Sequence, residues 1–440
     1  MAAAALVTVP AVILRLSCAG NTCQTTGGHP AAVPFCPLPA ALKSEIEAGY
    51  RSGRSPDILG VTGSTHVIGG TTGSSPRGVE VAWPSISPQS DTRVPIVFSG
   101  SGLARGASVP DGAGLDAIAP TLASALGFDR PHPEVRAGEP LGGIVFGRRP
   151  RLVLEVAWKG IGSAALRASP TAWPFLSSLE RLGAGTLDAT TGSLPLDPAA
   201  TLTTIGTGGL PFQHGITGTI LRGTNGRVVD AWHPGAPTSV IATLADDWDH
   251  AEGERPLVGL VADASSDRGI VGDGWYVGHD TDSVLTAHTA QAQAAAVNAM
   301  LAKGFGRDGT TDILAVVMRG SLAEMDRELR TVVAAANGAS RGSLVVVVAG
   351  TGQSSTPGAG PSPIPGERLV QDVERRTGLP LPVVQAAVPG GLFLDEAVLA
   401  KTGVTGQVVQ QALADVSSPA GGAVMDQAFQ GFAVSFARYC

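Results

Sequence analysis

The densest group of side chains that could do chemistry lies between residues 263 and 282, and it comprises Asp263, Asp267, Asp273, His279, Asp280 and Asp282. Hard cations bind several carboxylate oxygens, so this group is a candidate metal site, with Asp263, Asp267 and Asp280 as its ligands. The spacing lacks the order of a calcium-binding loop. Because charge-rich segments are usually exposed, we favour a solvated acidic insertion over a cation site.

Two glycine-rich segments could cradle a phosphate group. They are Gly69–Gly73 and Gly206–Gly209. A P-loop needs a Lys followed by a Ser or Thr directly after its glycines, and neither segment has that pair. We therefore exclude a P-loop nucleotide-binding site.

The elements that would position these residues follow from short apolar runs that alternate with helical patterns. Runs rich in β-branched residues predict strands at 93–98, 152–157, 257–261, 312–317 and 344–348. Between them, helical periodicity predicts helices at 115–126, 171–182, 285–301, 322–335 and 366–377. This alternation predicts an α/β fold, a three-layer α/β/α sandwich with a mostly parallel central sheet.

Composition narrows the classes of partner. The 440 residues carry a net charge of −7, and no basic run of the kind that neutralises a phosphate backbone is present. We therefore expect no nucleic-acid partner. The hydrophobic content of 43% is enough for a large core, in one big domain or two ordinary ones.

The first 35 residues are rich in Gly, Pro, Thr and Ala and are interpreted as a leader or loop segment. Their apolar part, residues 2–16, has no basic start and is too short to span a bilayer, so we predict no transmembrane segment there. Four cysteines, Cys18, Cys23, Cys36 and Cys440, are compatible with disulfides. This cysteine usage predicts an extracytoplasmic or secreted protein.

Residues 151–218 resemble the opening of the alkaline phosphatase superfamily, which includes the nucleotide pyrophosphatases and phosphodiesterases. A first strand is followed by Pro174–Gly185, similar to the family's pattern tP.l..L...G, and by TGGLPFQHGI at 207–216, which matches TG..P..HGI. The resemblance implies the alkaline-phosphatase-like sandwich. In this motif His214 is expected to fix its loop through hydrogen bonds.

Residues 93–141 resemble the end of the same fold. VPIVFSG at 94–100 looks like VPlif.G, and DAIAPTLASALG at 116–127 looks like DiaPTla.llG. The resemblance therefore implies a circularly permuted single domain over residues 36–440, with the family's C-terminal part at 36–145 and its N-terminal and middle part at 150–440. Permutation would bring Cys440 near Cys36, which predicts a disulfide across the seam. A truncated tandem protein is the alternative.

Active members of the family use two divalent metal ions about 4 Å apart and a Ser or Thr nucleophile. In this sequence Lys159 stands at the first metal ligand, Pro198 at the nucleophile, and Gly350 and Thr351 where an Asp and a His are expected. The vestigial site would then comprise Lys159, Asp197, Pro198, Gly350 and Thr351. An ammonium does not ligate a metal, so Lys159 either pairs with Asp197, which we favour, or holds an anionic small molecule.

Three hypotheses follow for function. The first is a catalytically degenerate pseudoenzyme without a cofactor that binds or scaffolds a partner not identified by the sequence. The second is an active phosphate- or sulfate-ester hydrolase with two divalent ions such as zinc in an unusual site. The third is a metal-independent transferase that binds a phosphorylated ligand through Lys159. A working metal site needs at least three converging Asp or His side chains at the carboxyl ends of the strands.

Overall fold

The computed structural model describes residues 16–19, 22–25, 30–32, 35–63, 68–71, 80–81, 86–87, 90–276, 281–352, 364–388, 390–417 and 423–440. Most of the predicted leader lies outside the described residues. In chain order the strands are β1 Leu16–Ala19, β2 Thr22–Thr25, β3 Pro30–Ala32, β4 Ile58–Thr62, β5 Ile68–Thr71, β6 Glu80–Val81, β7 Arg93–Gly100, β8 Leu152–Trp158, β9 Ala184–Thr190, β10 Ile220–Arg222, β11 Val228–Asp230, β12 Val258–Ala262, β13 Ser283–Thr286, β14 Asp312–Met318, β15 Leu344–Gly350, β16 Ile364–Pro365, β17 Val384–Val388, β18 Gly391–Leu394 and β19 Met425–Gln430.

The helices connect these strands. They are α1 Ala40–Gly49, α2 Ile118–Leu126, α3 Ser163–Ala168, α4 Pro174–Leu182, α5 Pro198–Thr207, α6 Pro211–His214, α7 Leu244–Glu252, α8 Ala290–Ala302, α9 Leu322–Ala339, α10 Gly366–Thr377, α11 Glu396–Thr402 and α12 Gly406–Ala414, with 3-10 helices at Leu115–Ala117, Pro133–Val135, Ser265–Ile270 and Gly431–Tyr439. Within the described ranges, no helix combines the length and apolar character needed to cross a membrane.

The central sheet has seven strands in the order β13-β12-β14-β8-β15-β7-β9. From β13 through β15 every neighbouring pair is parallel, and only β7 runs against the others. All seven residues of β8 are buried, as are those of β14 and β15. Strands buried on both faces are continuous apolar runs, which is why the sequence pattern located them.

Helices cover both faces of this sheet. Leu122 of α2, Leu202 of α5 and Trp248 of α7 pack into the hydrophobic cluster on one face. On the other face, Leu176 of α4 and Leu329 of α9 belong to a second cluster, together with residues of α8. The predicted three-layer α/β/α sandwich is therefore confirmed.

One charged residue, Glu155, lies in the middle of the central strand β8. It is 3% exposed, and its Oε2 has no hydrogen-bond partner among the described residues. Val153 and Ala157, two positions to either side on the strand, belong to the core cluster formed with α2, α5 and α7. Burial raises the pKa of Glu155 to about 8, although the charge of Arg130 opposes the rise. At neutral pH this carboxyl group is therefore mainly protonated.

A separate four-stranded antiparallel sheet has the order β17-β18-β4-β19. Strand β4 comes from the first part of the chain and pairs with two strands from its last part. The hydrophobic cluster beneath this sheet includes Leu369 and Val373 of α10 and Val409 and Leu413 of α12. The apolar runs from which we predicted strands did not include this sheet, although Gly53–Leu59 resembles a late strand of the family and overlaps β4.

The prediction of a helix over 285–301 was wrong at its start. Residues Ser283–Thr286 form the edge strand β13, and α8 begins at Ala290. The burial of β13 alternates between half-buried and exposed residues, as expected for an edge strand, and the Thr289 hydroxyl caps α8 by accepting the N–H of Ala292 at 3.2 Å. A short strand followed directly by a helix gave one continuous apolar pattern.

The predicted disulfide between Cys36 and Cys440 is present, with the two Cα atoms 5.1 Å apart. Because a cross-link over a sequence separation of 404 residues restricts the unfolded chain, we expect the Cys36→Ser, Cys440→Ser double variant to lose about 2–4 kcal/mol of unfolding free energy. Urea unfolding under non-reducing conditions measures this loss. An unchanged transition midpoint in the double variant would contradict the prediction.

Candidate functional site

Five parallel strands end at the same edge of the central sheet, and each is followed by a side chain capable of chemistry or of positioning. Lys159 follows β8, Asp263 follows β12, His288 follows β13, Arg319 follows β14 and Thr351 follows β15. In open α/β sheets, ligands bind outside the carboxyl ends of the strands. This edge is therefore the candidate functional site.

The centre of the site is an ion-pair triad. The Lys159 Nζ donates to Asp267 Oδ1 at 2.7 Å and to Asp263 Oδ2 at 3.1 Å, and the three side chains are only 8%, 0% and 3% exposed. Asp267 Oδ2 accepts the backbone N–H groups of Asp263 at 2.9 Å and Ala264 at 2.8 Å. Burial raises the pKa of Asp267, and the Lys159 charge opposes that rise. The ammonium is thus the counter-ion that keeps two buried carboxylates in place.

The predicted pair between Lys159 and Asp197 was wrong. Asp197 is the N-cap of α5, where its carboxylate accepts the N–H of Ala199 at 2.9 Å. It also accepts the Thr219 N–H at 2.8 Å and the Thr219 hydroxyl at 2.9 Å. Burial raises the pKa of Asp197, while these hydrogen bonds and the Lys159 charge lower it. The Asp197 carboxylate therefore caps α5, and Pro198 is the first residue of that helix.

The interpretation of residues 263–282 as a solvated acidic insertion was wrong for its first part. Asp263 and Asp267 are buried, because both turn inwards to Lys159, whereas Asp282 is exposed. His279 and Asp280 lie outside the described residues. Two of the three candidate ligands therefore lie together, but around an ammonium group.

Among the described residues, the donors around Lys159 do not fit the two divalent metal ions that the family resemblance implies. Such a pair needs clustered Asp and His ligands, and the carboxylates of Asp263 and Asp267 already accept hydrogen bonds from Lys159. Across the described ranges, no group of three or more His, Cys, Asp or Glu side chains is arranged to hold a metal ion.

Gly350 and Thr351 lock two strand ends together. A Cβ atom on Gly350 would collide with the carbonyl oxygen of Ile161, so only glycine fits there. The Thr351 hydroxyl accepts the N–H of Gly160 at 2.8 Å, and the Thr351 N–H donates to the Trp158 carbonyl at 3.2 Å. These two residues therefore hold the end of β15 against the end of β8 and the loop that follows it.

Two side chains at the rim of the site, His288 and Arg319, were missed by the sequence reasoning. His288 Nδ1 lies 3.5 Å from Asp263 Oδ1, and Arg319 Nη1 lies 3.5 Å from Asp263 Oδ2. Buried Gln293 holds both loops, since its Oε1 accepts the Arg319 N–H at 3.0 Å and its Nε2 donates to the Ala287 carbonyl at 2.8 Å. Their positions in the sequence could have identified them, because each lies one or two residues beyond the end of a strand.

Two further residues are structural. His214 is fully buried, with Nε2 3.2 Å from the Thr204 hydroxyl and Nδ1 accepting the Ile216 N–H at 3.1 Å, as predicted for a loop-fixing residue. Burial lowers the pKa of His214 to about 3, so the ring is neutral. Ser340 lies in GASRG at 338–342, which has the spacing of a hydrolase nucleophile elbow. However, it precedes β15 at the opposite edge of the sheet and donates to the Ala336 carbonyl.

No protein-family model matches this chain, and no curated protein sequence matches it. Among solved structures, the chain is similar to the alkaline phosphatase PafA, with a TM-score of 0.45 and 12% sequence identity over 60% of this chain and 76% of that one. It is also similar to Ps i-CgsB in complex with a neocarrahexaose, with a TM-score of 0.27 and 11% identity over 46% of this chain and 58% of that one. Neither likeness assigns an activity to this chain.

Proposed function

We propose that this protein is a metal-independent, non-catalytic binding or scaffolding member of the alkaline phosphatase superfamily. The observation that carries the proposal is the position of the Lys159 Nζ, which donates to both Asp263 and Asp267 at the carboxyl ends of the strands. A covalently attached ammonium supplies one positive charge to these carboxylates. It has no vacant coordination position with which to polarise a substrate oxygen.

The position aligned with the family's nucleophile supports the same proposal. Pro198 begins α5 and has no hydroxyl group, and the neighbouring Asp197 carboxylate is used by the helix cap. A nucleophile must be within hydrogen-bonding reach of a base or a metal ion. Neither Asp197 nor Pro198 can therefore act as the nucleophile, which favours binding over ester hydrolysis.

We also propose that the protein works outside the cytoplasm. The support is the Cys36–Cys440 disulfide, since disulfides persist in oxidising compartments and are rare in the cytosol. Labelling of free thiols in protein taken directly from cells, before any exposure to air, tests this location. Fully reduced Cys36 and Cys440 would contradict it.

Metal content and turnover test the proposed function directly. For protein purified without chelators, we expect less than one tenth of an equivalent of zinc or other divalent metal by plasma mass spectrometry. We expect no turnover of p-nitrophenyl phosphate, bis(p-nitrophenyl) phosphate or p-nitrophenyl sulfate above the rate without protein. Chelator should leave the thermal midpoint unchanged. Two metal ions per chain together with turnover would instead establish the metal-dependent hydrolase.

A further inference from the structure

Only one of the two oxygens of the Asp263 carboxylate accepts a hydrogen bond within the described part of the chain. Its Oδ2 accepts from Lys159 and lies near Arg319, whereas its buried Oδ1 has no hydrogen-bond partner among the described residues. The side chain is 3% exposed. A buried acceptor without a donor is costly, so Oδ1 is a position at which a ligand N–H or O–H group would gain free energy.

The neighbouring rim supplies the opposite charge. The Arg319 side chain is 67% exposed, and its nearest carboxylate contact within the described part of the chain is 3.5 Å long, at Asp263 Oδ2. Most of the guanidinium fork is therefore free to bind a planar carboxylate in a bidentate manner. The backbone of Arg319 is fixed by buried Gln293, so the fork is presented from a rigid strand end.

His288 lies beside Asp263 Oδ1. Its Nδ1 is 3.5 Å from Oδ1, which is the limit of a hydrogen bond, and the imidazole is 74% exposed. Exposed side chains change rotamer readily. Rotation of His288 into solvent would open Oδ1 to a ligand donor without breaking a good hydrogen bond.

The charges of the site select the class of ligand. Lys159 and Arg319 balance Asp263 and Asp267, so that a simple anion would be repelled by Asp263 and a simple cation by Arg319 and Lys159. A ligand that carries an ammonium and a carboxylate on the same carbon adds no net charge. Its ammonium can donate to Asp263 Oδ1 while its carboxylate reaches the adjacent Arg319.

We propose that this strand edge binds a free α-amino acid, with the ammonium group on Asp263 and the carboxylate on Arg319. The proposal rests on the proposed function in one respect, namely that Lys159 and not a metal ion holds Asp263 and Asp267. The amino-acid side chain would extend past His288 towards solvent.

Calorimetric titration of the full chain, in the presence of chelator, tests the proposal with the twenty protein amino acids, ethylamine and acetate. We expect at least one amino acid to bind with 1:1 stoichiometry, and at least tenfold more tightly than ethylamine or acetate. Arg319→Gln should weaken this binding at least tenfold. The matched control is Arg327→Gln, an arginine of similar exposure on α9, which should leave the affinity unchanged.

A second variant tests the role of Asp263 Oδ1 without disturbing the triad. Because His288 competes for that oxygen, His288→Ala should bind the amino acid at least as tightly as the natural protein. A tenfold loss in His288→Ala, no binding of any amino acid, or acetate binding as tight as that of the amino acid would each overturn the proposal. Metal content and ester turnover are measured separately, so the failure of one proposal is distinguishable from the failure of the other.

Discussion

Replacing Lys159 by methionine is expected to lower the free energy of unfolding by about 3–5 kcal/mol, because it leaves two buried carboxylates without their shared counter-ion. The charge of Asp267 depends most on this counter-ion, since its side chain is fully buried and Lys159 is its only cationic contact among the described residues. Methionine has about the length and the apolar stem of lysine, and it removes the charge together with the two hydrogen bonds that the ammonium donates. Urea unfolding at pH 7.5 measures the loss.

Two companion variants make this result specific. Lys401→Met removes an exposed lysine near the end of α11 and should change the unfolding free energy by less than about 0.5 kcal/mol. Adding Asp263→Asn and Asp267→Asn to Lys159→Met should restore most of the loss, since neutral amides remove the uncompensated charge. If Lys159→Met alone costs less than about 1 kcal/mol, the ammonium is not the counter-ion that we describe.

Replacing Glu155 by glutamine is expected to remove a steep dependence of stability on pH. The pKa of Glu155 is about 8 in the folded chain against 4.5 for the ordinary group. Between these values Glu155 retains a proton in the folded protein that it has released in the unfolded chain, so its contribution to stability falls as pH rises through this window and is constant above it. The shift corresponds to about 5 kcal/mol. Glutamine has the same shape and cannot ionise.

The measurement is the unfolding free energy of both proteins from pH 4.5 to pH 9. The difference in favour of Glu155→Gln should grow from near zero at pH 4.5 to its full value above pH 8. Glu139→Gln, at an exposed glutamate, serves as the control and should follow the natural protein at every pH. Parallel curves for Glu155→Gln and the natural protein would show that Glu155 does not titrate in this window.

Much of the central sheet could be predicted because its strands are buried on both faces. The apolar runs at 312–317 and 344–348 can be recognised as strands without knowing which strands they pair with. The observed strands extend these runs by one and two residues. Helix α10 was predicted at its observed bounds, 366–377. Strand β13 was missed because an edge strand of four residues has too short a pattern to separate from the helix after it.

The site was less predictable because it depends on the order of the strands. Lys159 follows β8 and Asp263 follows β12, and in the sheet β14 lies between those two strands. The two residues are 104 positions apart in the chain, and no local pattern joins them. The motif alignment predicts Asp197 as the partner, but its carboxylate caps α5 through Ala199 and also binds Thr219, which that motif does not include.

The four-stranded sheet has a consequence for biosynthesis. Strand β4, at Ile58–Thr62, is made early by the ribosome, but its partners β18 and β19 are made only near the end of translation. At a usual elongation rate, the interval between completion of β4 and completion of β18 is on the order of tens of seconds. During that time Ile58 and Leu59, which are buried in the finished protein, have no partner strand. The sheet of β17, β18, β4 and β19 can therefore assemble only after the last part of the chain has been made.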